Sequence, residues 1–306
     1  MSSEQHAQDL ARAPTSLGRM FSRPRITAIA CVAVLAALGW VYLAIMVAGA
    51  ARHGDAGALG PGMAIFDRLM PRDGLGRSLL DALCRPTLAT GQGAGVLDLA
   101  LVLVMWCAMA LAMMLPTAGS MIFTYAQIAD TARLRGEAVV SPHVLAAGYT
   151  SVWIAYACVA SLLQWGLGRA ALLDPSLVPV SGLFSGAVFL LAGGYQLSAM
   201  KHACVTRCQR PLPFFFANWT TRTAAVFRLG LRQGLYCLGC CWAMMLVMFA
   251  VGVMNVVWMA LLGVIMTTEK IATTTRVSRA LGVIFIAIGM AFVVASLIAH
   301  WPAHAA

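Results

Sequence analysis

The segment "CLGCCWAMMLVM", residues 237 to 248, sets three cysteines and three methionines within twelve positions of an apolar run. On a helix, residues four apart share a face, so Cys237, Cys241, Met245 and Met248 form one stripe, with Cys240 and Met244 beside it. Thiolate and thioether donors select Cu(I), cysteine-only sites also accept Zn(II) or an iron–sulfur cluster, and hard ions prefer oxygen. The apolar segments around the stripe hold almost no carboxylates, with Asp98 and Glu269 at their edges. Cu(I) is therefore the best chemical match and Zn the alternative.

A second group, "KHACVTRC", precedes the stripe. Cys204 and Cys208 lie one helical turn apart, and His202 stands two residues before Cys204. If the preceding helix runs on to Cys208 and the next begins near Cys237, both groups meet at one membrane surface. Paired spacing in two neighbouring segments is hard to obtain from packing alone, so Cys204, Cys208, Cys237, Cys240, Cys241 and His202 are the candidate metal ligands. In "MWCAMALAMMLPT", Met105, Met109 and Met113 recur every four residues, and Pro116 should free a backbone carbonyl about one turn earlier. Met is also an adaptable packing residue. Met109, Met113 and Met245 are read as candidate thioether donors on an onward path, with packing as their ordinary role. Cys31, Cys107 and Cys158 read as small buried hydrophobes, and Cys84 stands alone in a loop.

The elements that must position these residues are membrane helices. Of 306 residues, 61% are hydrophobic and 10% charged, against about 25% charged in soluble domains. A span needs about 20 apolar residues, which gives spans near 27–50, 97–118, 143–165, 180–200, 234–252, 253–268 and 279–299. The fold class is all-α, a polytopic transmembrane bundle of about seven spans, or six if the first is a cleaved signal peptide. Its 24 apolar residues exceed the usual 7–15 of a signal sequence and favour retention as an anchor. A tight turn near Gly252 and Asn255 divides the uninterrupted run from Leu235 to Met266. The chain then divides into a polar tail (1–26), the first span (27–50), an extramembrane loop (51–95) with a short amphipathic helix near Ile65 to Met70, and a metal-binding bundle (96–306).

Most of the 21 basic residues fall on alternate sides in a pattern that puts the N-terminus in the cytoplasm. The net charge of +10 thus reports orientation and lipid headgroups rather than nucleic acid. His143 reads as a helix cap, Glu269 and Lys270 as an interfacial ion pair, and the Trp residues at 106, 153, 165, 242, 258 and 301 as an interfacial belt. His300 and His304 belong to the tail. There is no G-x-S-x-G, Walker loop or H-E-x-x-H, so the chain does not read as an enzyme.

"MWCAMALAMMLPT", "KHACVTRCQRPLPFF", "GLYCLGCCWAMMLVMFAVGVMNVVWM" and the "EK" that follows together resemble a bacterial family of predicted metal-binding integral membrane proteins, domain of unknown function 2182. The resemblance runs from about Leu97 to the last span. It implies a link with copper, since some members are described as chaperones or accessory proteins that load copper enzymes such as tyrosinases. It also implies metal-related roles for the five cysteines, for Met109, Met113 and Met114, and for a G-x-M-N motif at Gly252, Met254 and Asn255. The expected protein is a multi-pass inner-membrane copper(I) carrier that contacts lipid and a copper-accepting enzyme. Two alternatives stay open: a thiol–disulfide carrier using the C-x-x-C pair Cys237 and Cys240, and a structural subunit with a Zn–Cys site.

Overall fold

The computed structural model describes residues 24–52, 56–69, 96–174, 177–272 and 275–300. The start of the polar tail, residues 70–95 of the long loop with Cys84, and Trp301 and His304 lie outside the described residues. Within them, regular structure is helical apart from one isolated β-bridge between Leu173 and Pro179. The helices are α1 (Pro24–Arg52), α2 (Ala64–Leu69), α3 (Val96–Leu134), α4 (Pro142–Arg169), α5 (Gly182–Gln196), α6 (Ala199–Gln209), α7 (Pro211–Ala217), α8 (Thr223–Val251), α9 (Val256–Ile271) and α10 (Arg276–His300).

Five of these, α1, α3, α4, α8 and α10, are long and apolar enough to cross a membrane. A sixth is added if α5 and α6, bent by 63° at their junction, count together. The expected span at 253–268 falls in α9, whose 16 residues cover about 24 Å, less than the ~30 Å of a hydrocarbon core. The short helix expected near Ile65 to Met70 is α2.

Local chemistry sets most of the boundaries. After α3, Gly136 adopts φ 77° and Glu137 N–H returns to the Ala132 carbonyl, a left-handed helix stop. Ser141 then caps α4, with Pro142 in its first turn and exposed His143 bonded to the Ser141 hydroxyl at 2.8 Å. The turn expected near Gly252 and Asn255 is present. Gly252 takes φ 104°, and the Asn255 side chain accepts from Trp258 N–H at 3.1 Å to start α9. Asn255 also donates to the Pro61 carbonyl, tying the segment before α2 to this turn. The G-x-M-N motif therefore has a structural role at one end of the bundle.

Two expectations fail here. The helix before "KHACVTRC" does not run on to Cys208, because Ser198 caps a new helix by accepting from Lys201 N–H. The helix carrying Cys237 begins at Thr223 rather than near the cysteine, which puts the stripe about 21 Å inside α8. The Trp belt is also only partial. Trp106 and Trp153 are buried, and Trp106 stacks on Phe249 and donates to Gln164 at 2.7 Å.

Small residues let the helices approach closely. The α4–α8 contact brings Gly148 against Gly230, where an added Cβ on Gly148 would lie 3.0 Å from Leu231 N and 3.2 Å from Gly230 Cα. Gly230 and Gly234 form a G-x-x-x-G on α8, the small-residue pattern of helix contacts in lipid. Pro116 withholds the N–H that would bond the Ala112 carbonyl, and Trp40 of α1 donates to that carbonyl at 3.1 Å. The freed acceptor thus becomes the anchor between α1 and α3.

Gly148→Val should lower stability by about 1–3 kcal/mol through overpacking. Gly194→Ala, where nothing lies within 4 Å of the new Cβ, should be neutral or raise it by about 0.5 kcal/mol. Thermal unfolding in detergent compares them, and equal effects would contradict the close α4–α8 contact.

Candidate metal centre

The α8–α9 hairpin sets the register of the site. Cys237 precedes the end of α8 at Val251 by fourteen residues, and Lys270 follows the start of α9 at Val256 by fourteen. At 1.5 Å per residue both lie about 21 Å from the turn, level with one another.

Cys237, Cys240 and Cys241 are buried on one face of α8, and their sulfur atoms all lie within 4.8 Å of one another. The i, i+3, i+4 spacing produces this face. Cys240 and Cys241 sulfurs are 3.2 Å apart, and the Cys240 thiol donates to the Cys237 carbonyl at 3.0 Å. A metal–thiolate bond is about 2.3 Å, so three sulfurs around one ion stand about 4 Å apart. The trio fits that spacing if the Cys240–Cys241 separation opens by less than about 1 Å, within the reach of side-chain rotation.

Two other helices meet the Cys237 sulfur directly, and a third joins them through Lys270. Lys270 from α9 donates to it at 3.0 Å and to the Thr117 hydroxyl of α3 at 2.6 Å. Tyr149 from α4 hydrogen-bonds the same sulfur at 3.0 Å and donates to the Met114 carbonyl at 3.2 Å, where Thr117 also donates at 2.8 Å. A closed ring of contacts therefore joins α3, α4, α8 and α9. The Lys270 ammonium offsets negative charge that a metal-bound thiolate would bring into an apolar interior.

The expected Glu269–Lys270 ion pair does not form. Successive residues on a helix point about 100° apart, and these two serve different neighbours. Glu269 meets Lys201 of α6 at 2.7 Å, and both are buried. Gln196 joins them, donating to Glu269 at 2.7 Å and accepting from Lys201, while Gln209 donates to the Glu269 and Ala272 carbonyls at the end of α9. Lys201 and Lys270 are the only two lysines of the chain. One locks α6 to α9 and the other meets the cysteine cluster.

The remaining candidates are distributed around this core. Cys208 comes into side-chain contact with Cys240. Cys204 packs at Gly239, where an added Cβ would lie 2.7 Å from its sulfur. Neither belongs to the compact trio, the group of three potential His, Cys or carboxylate ligands found among the described residues. His202 is half-buried, its Nδ1 bonded to the Ser198 carbonyl at 2.8 Å and its Nε2 without a hydrogen-bond partner. Met245, Met244 and Met248 are buried on α8, and Met105, Met109, Met113 and Met114 on α3. Met113 lines a cavity of about 290 Å³ beside Trp40 and Pro116. Cys31 and Cys158 are exposed rather than buried, on apolar helices, and Cys107 is half-buried.

Sequence reasoning missed Thr117 and Tyr149, which look like ordinary residues of apolar helices. The usable signals were Gly148 beside Tyr149, paired with the G-x-x-x-G of α8, and the rarity of lysine.

Removing one partner from the buried Lys201–Glu269 pair strands a charge. Glu269→Leu should therefore cost about 3–5 kcal/mol, and combining it with Lys201→Met should recover most of that loss. Thermal unfolding of both single variants and of the double variant checks this, and additive losses would show that the pair contributes nothing jointly.

Comparison with curated proteins and with solved structures gave no match. The sequence model of the PpoB2 family, described as copper chaperone, matches residues 103–292. That stretch contains the cysteine trio and every residue of the ring that surrounds it, and covers more than half of the chain, which is therefore a member of the PpoB2 copper chaperone family.

Proposed function

We propose that this protein is a membrane-embedded Cu(I) carrier that holds the ion on Cys237, Cys240 and Cys241 and passes it to a copper-accepting enzyme. The observation behind this reading is the trio itself: three buried thiols within 4.8 Å of one another, with a lysine ammonium against one sulfur. Membership of a copper chaperone family and long apolar helices support it.

In this reading a bound Cu(I) is cargo. The ligand thiols lose their protons on binding, and Lys270 offsets the resulting charge. Tyr149 and Thr117 hold Lys270 and Cys237 in register, so the site is organised before the ion arrives. Cys204, Cys208 and His202 are auxiliary donors beside the trio. Met109, Met113 and Met245 offer thioethers to an ion leaving through the bundle, since soft neutral donors bind Cu(I) without adding charge. The chain sits in the bacterial inner membrane with its N-terminus in the cytoplasm, following the arginine distribution. Burial of all three thiols argues against disulfide exchange as the main activity, because exchange needs access to the sulfur.

Purified protein from copper-supplemented cells, kept reduced, should contain about one Cu(I) per chain. The Cys237→Ser/Cys240→Ser/Cys241→Ser variant should retain less than about a tenth of that, because its thiolate ligands are gone. Cys31→Ser/Cys158→Ser is the control and should bind normally. Copper undiminished in the triple variant, or stoichiometric Zn that copper does not displace, would overturn the proposal; the Zn result would favour a structural site.

A further inference from the structure

The trio is buried, yet one of its neighbours opens onto a cavity. A space of about 650 Å³ lies between α3, the α6–α7 junction and the end of α9. Its walls include Cys208, Arg210, Lys270 and the Thr117 hydroxyl. This volume falls in the range that holds small-molecule ligands, ~300–1,000 Å³.

Two features of the walls restrict the occupant. Arg210 and Lys270 both bring positive charge, and no Asp or Glu is among the lining residues. Such a lining repels a bare or solvated Cu⁺ ion and attracts an anion. Cys208 is also the one cysteine in the lining. The trio's sulfurs lie behind it, with Cys240 in contact with Cys208 and Cys237 in contact with Lys270.

We propose that this cavity receives copper as an anionic Cu(I) complex of a low-molecular-weight thiol, held by Arg210 and Lys270, and that Cys208 is the first protein sulfur to displace a carrier thiolate. The inference rests on the copper-binding reading above and adds the form in which the ion arrives and the residue that takes it.

The exchange balances without an oxidant. A carrier complex with two thiolates enters, the Cys208 sulfur forms a Cu–S bond, and one carrier thiolate leaves with the proton that Cys208 gives up. A second exchange at Cys240 releases the second carrier as its thiol in the same way. Cys237 then takes the place of Cys208 and hands its proton back to it, Cys241 joins the shell and its proton leaves to water in the cavity, so Cys208 is free for the next ion and copper remains Cu(I) throughout.

This assigns Cys208 a kinetic role and the trio an equilibrium one, which separates two measurements. Loading is followed by stopped-flow with Cu(I) presented either as its bis-glutathione complex or as the acetonitrile-solvated cation, and equilibrium affinity by competition with bicinchoninate. Cys208→Ser should slow loading from the glutathione complex by at least about tenfold, while its loss of equilibrium affinity stays well below that of Cys240→Ser. Arg210→Glu, a change at an exposed position, should slow the anionic complex by about tenfold, and should leave the cation unchanged or faster. Three results would overturn the inference: wild-type loading by Cys208→Ser, an affinity loss in Cys208→Ser as large as in Cys240→Ser, or equal slowing of both copper forms by Arg210→Glu. Wild-type protein that binds no Cu(I) in the competition assay would instead defeat the underlying copper reading, and this inference with it.

Discussion

The contact between the Lys270 ammonium and the Cys237 sulfur, at 3.0 Å, organises the rest of the structure. A cation inside an apolar bundle is tolerated only with partners around it. Here the partners come from α8 and α3, Cys237 and Thr117, and Tyr149 of α4 bonds the same sulfur, which fixes the relative height of all four helices. The α8–α9 turn sets the register so that Lys270 and Cys237 stand level. Tyr149 and Thr117 converge on the shared Met114 carbonyl, and Pro116, two residues beyond, frees the carbonyl that Trp40 uses to hold α1.

One residue earlier, Glu269 points to a different neighbour and pairs with Lys201. The two lysines thus act on different faces of α9. The Lys201–Glu269–Gln196 group keeps the end of this short helix against α6, and that in turn positions Lys270. Because Cys204 and Cys208 ride on α6, the same lock sets the distance between them and the trio. A buried ion pair contributes little net stability compared with apolar packing, so its value here lies in fixing geometry.

Much of this was legible in the sequence where a local rule decides the outcome. The trio follows from i, i+3, i+4 spacing, and the hairpin turn follows from Gly252, which adopts a positive φ, and Asn255, which caps. The freed carbonyl before Pro116 was also expected, although its Trp40 partner was not. What failed depended on contacts between distant segments. Glu269 and Lys270 are adjacent in sequence, so they looked like each other's partners until α6 supplied Lys201. The break at Leu197 and Ser198 was hidden because Ser198 serves equally well inside an apolar helix or as a cap. The early start of α8 was masked by Arg228 and Arg232, which read as loop residues. Tyr149 and Thr117 carry no local signal at all, since their role exists only once four helices meet.

The central claim is that the cysteine trio is a copper(I) thiolate site. X-ray absorption at the copper edge of the loaded, reduced protein tests it most directly. A Cu(I) edge with a first shell of two or three sulfurs at about 2.3 Å is expected. A shell dominated by nitrogen or oxygen, or an unchanged sulfur shell after all three cysteines are replaced by serine, would contradict it.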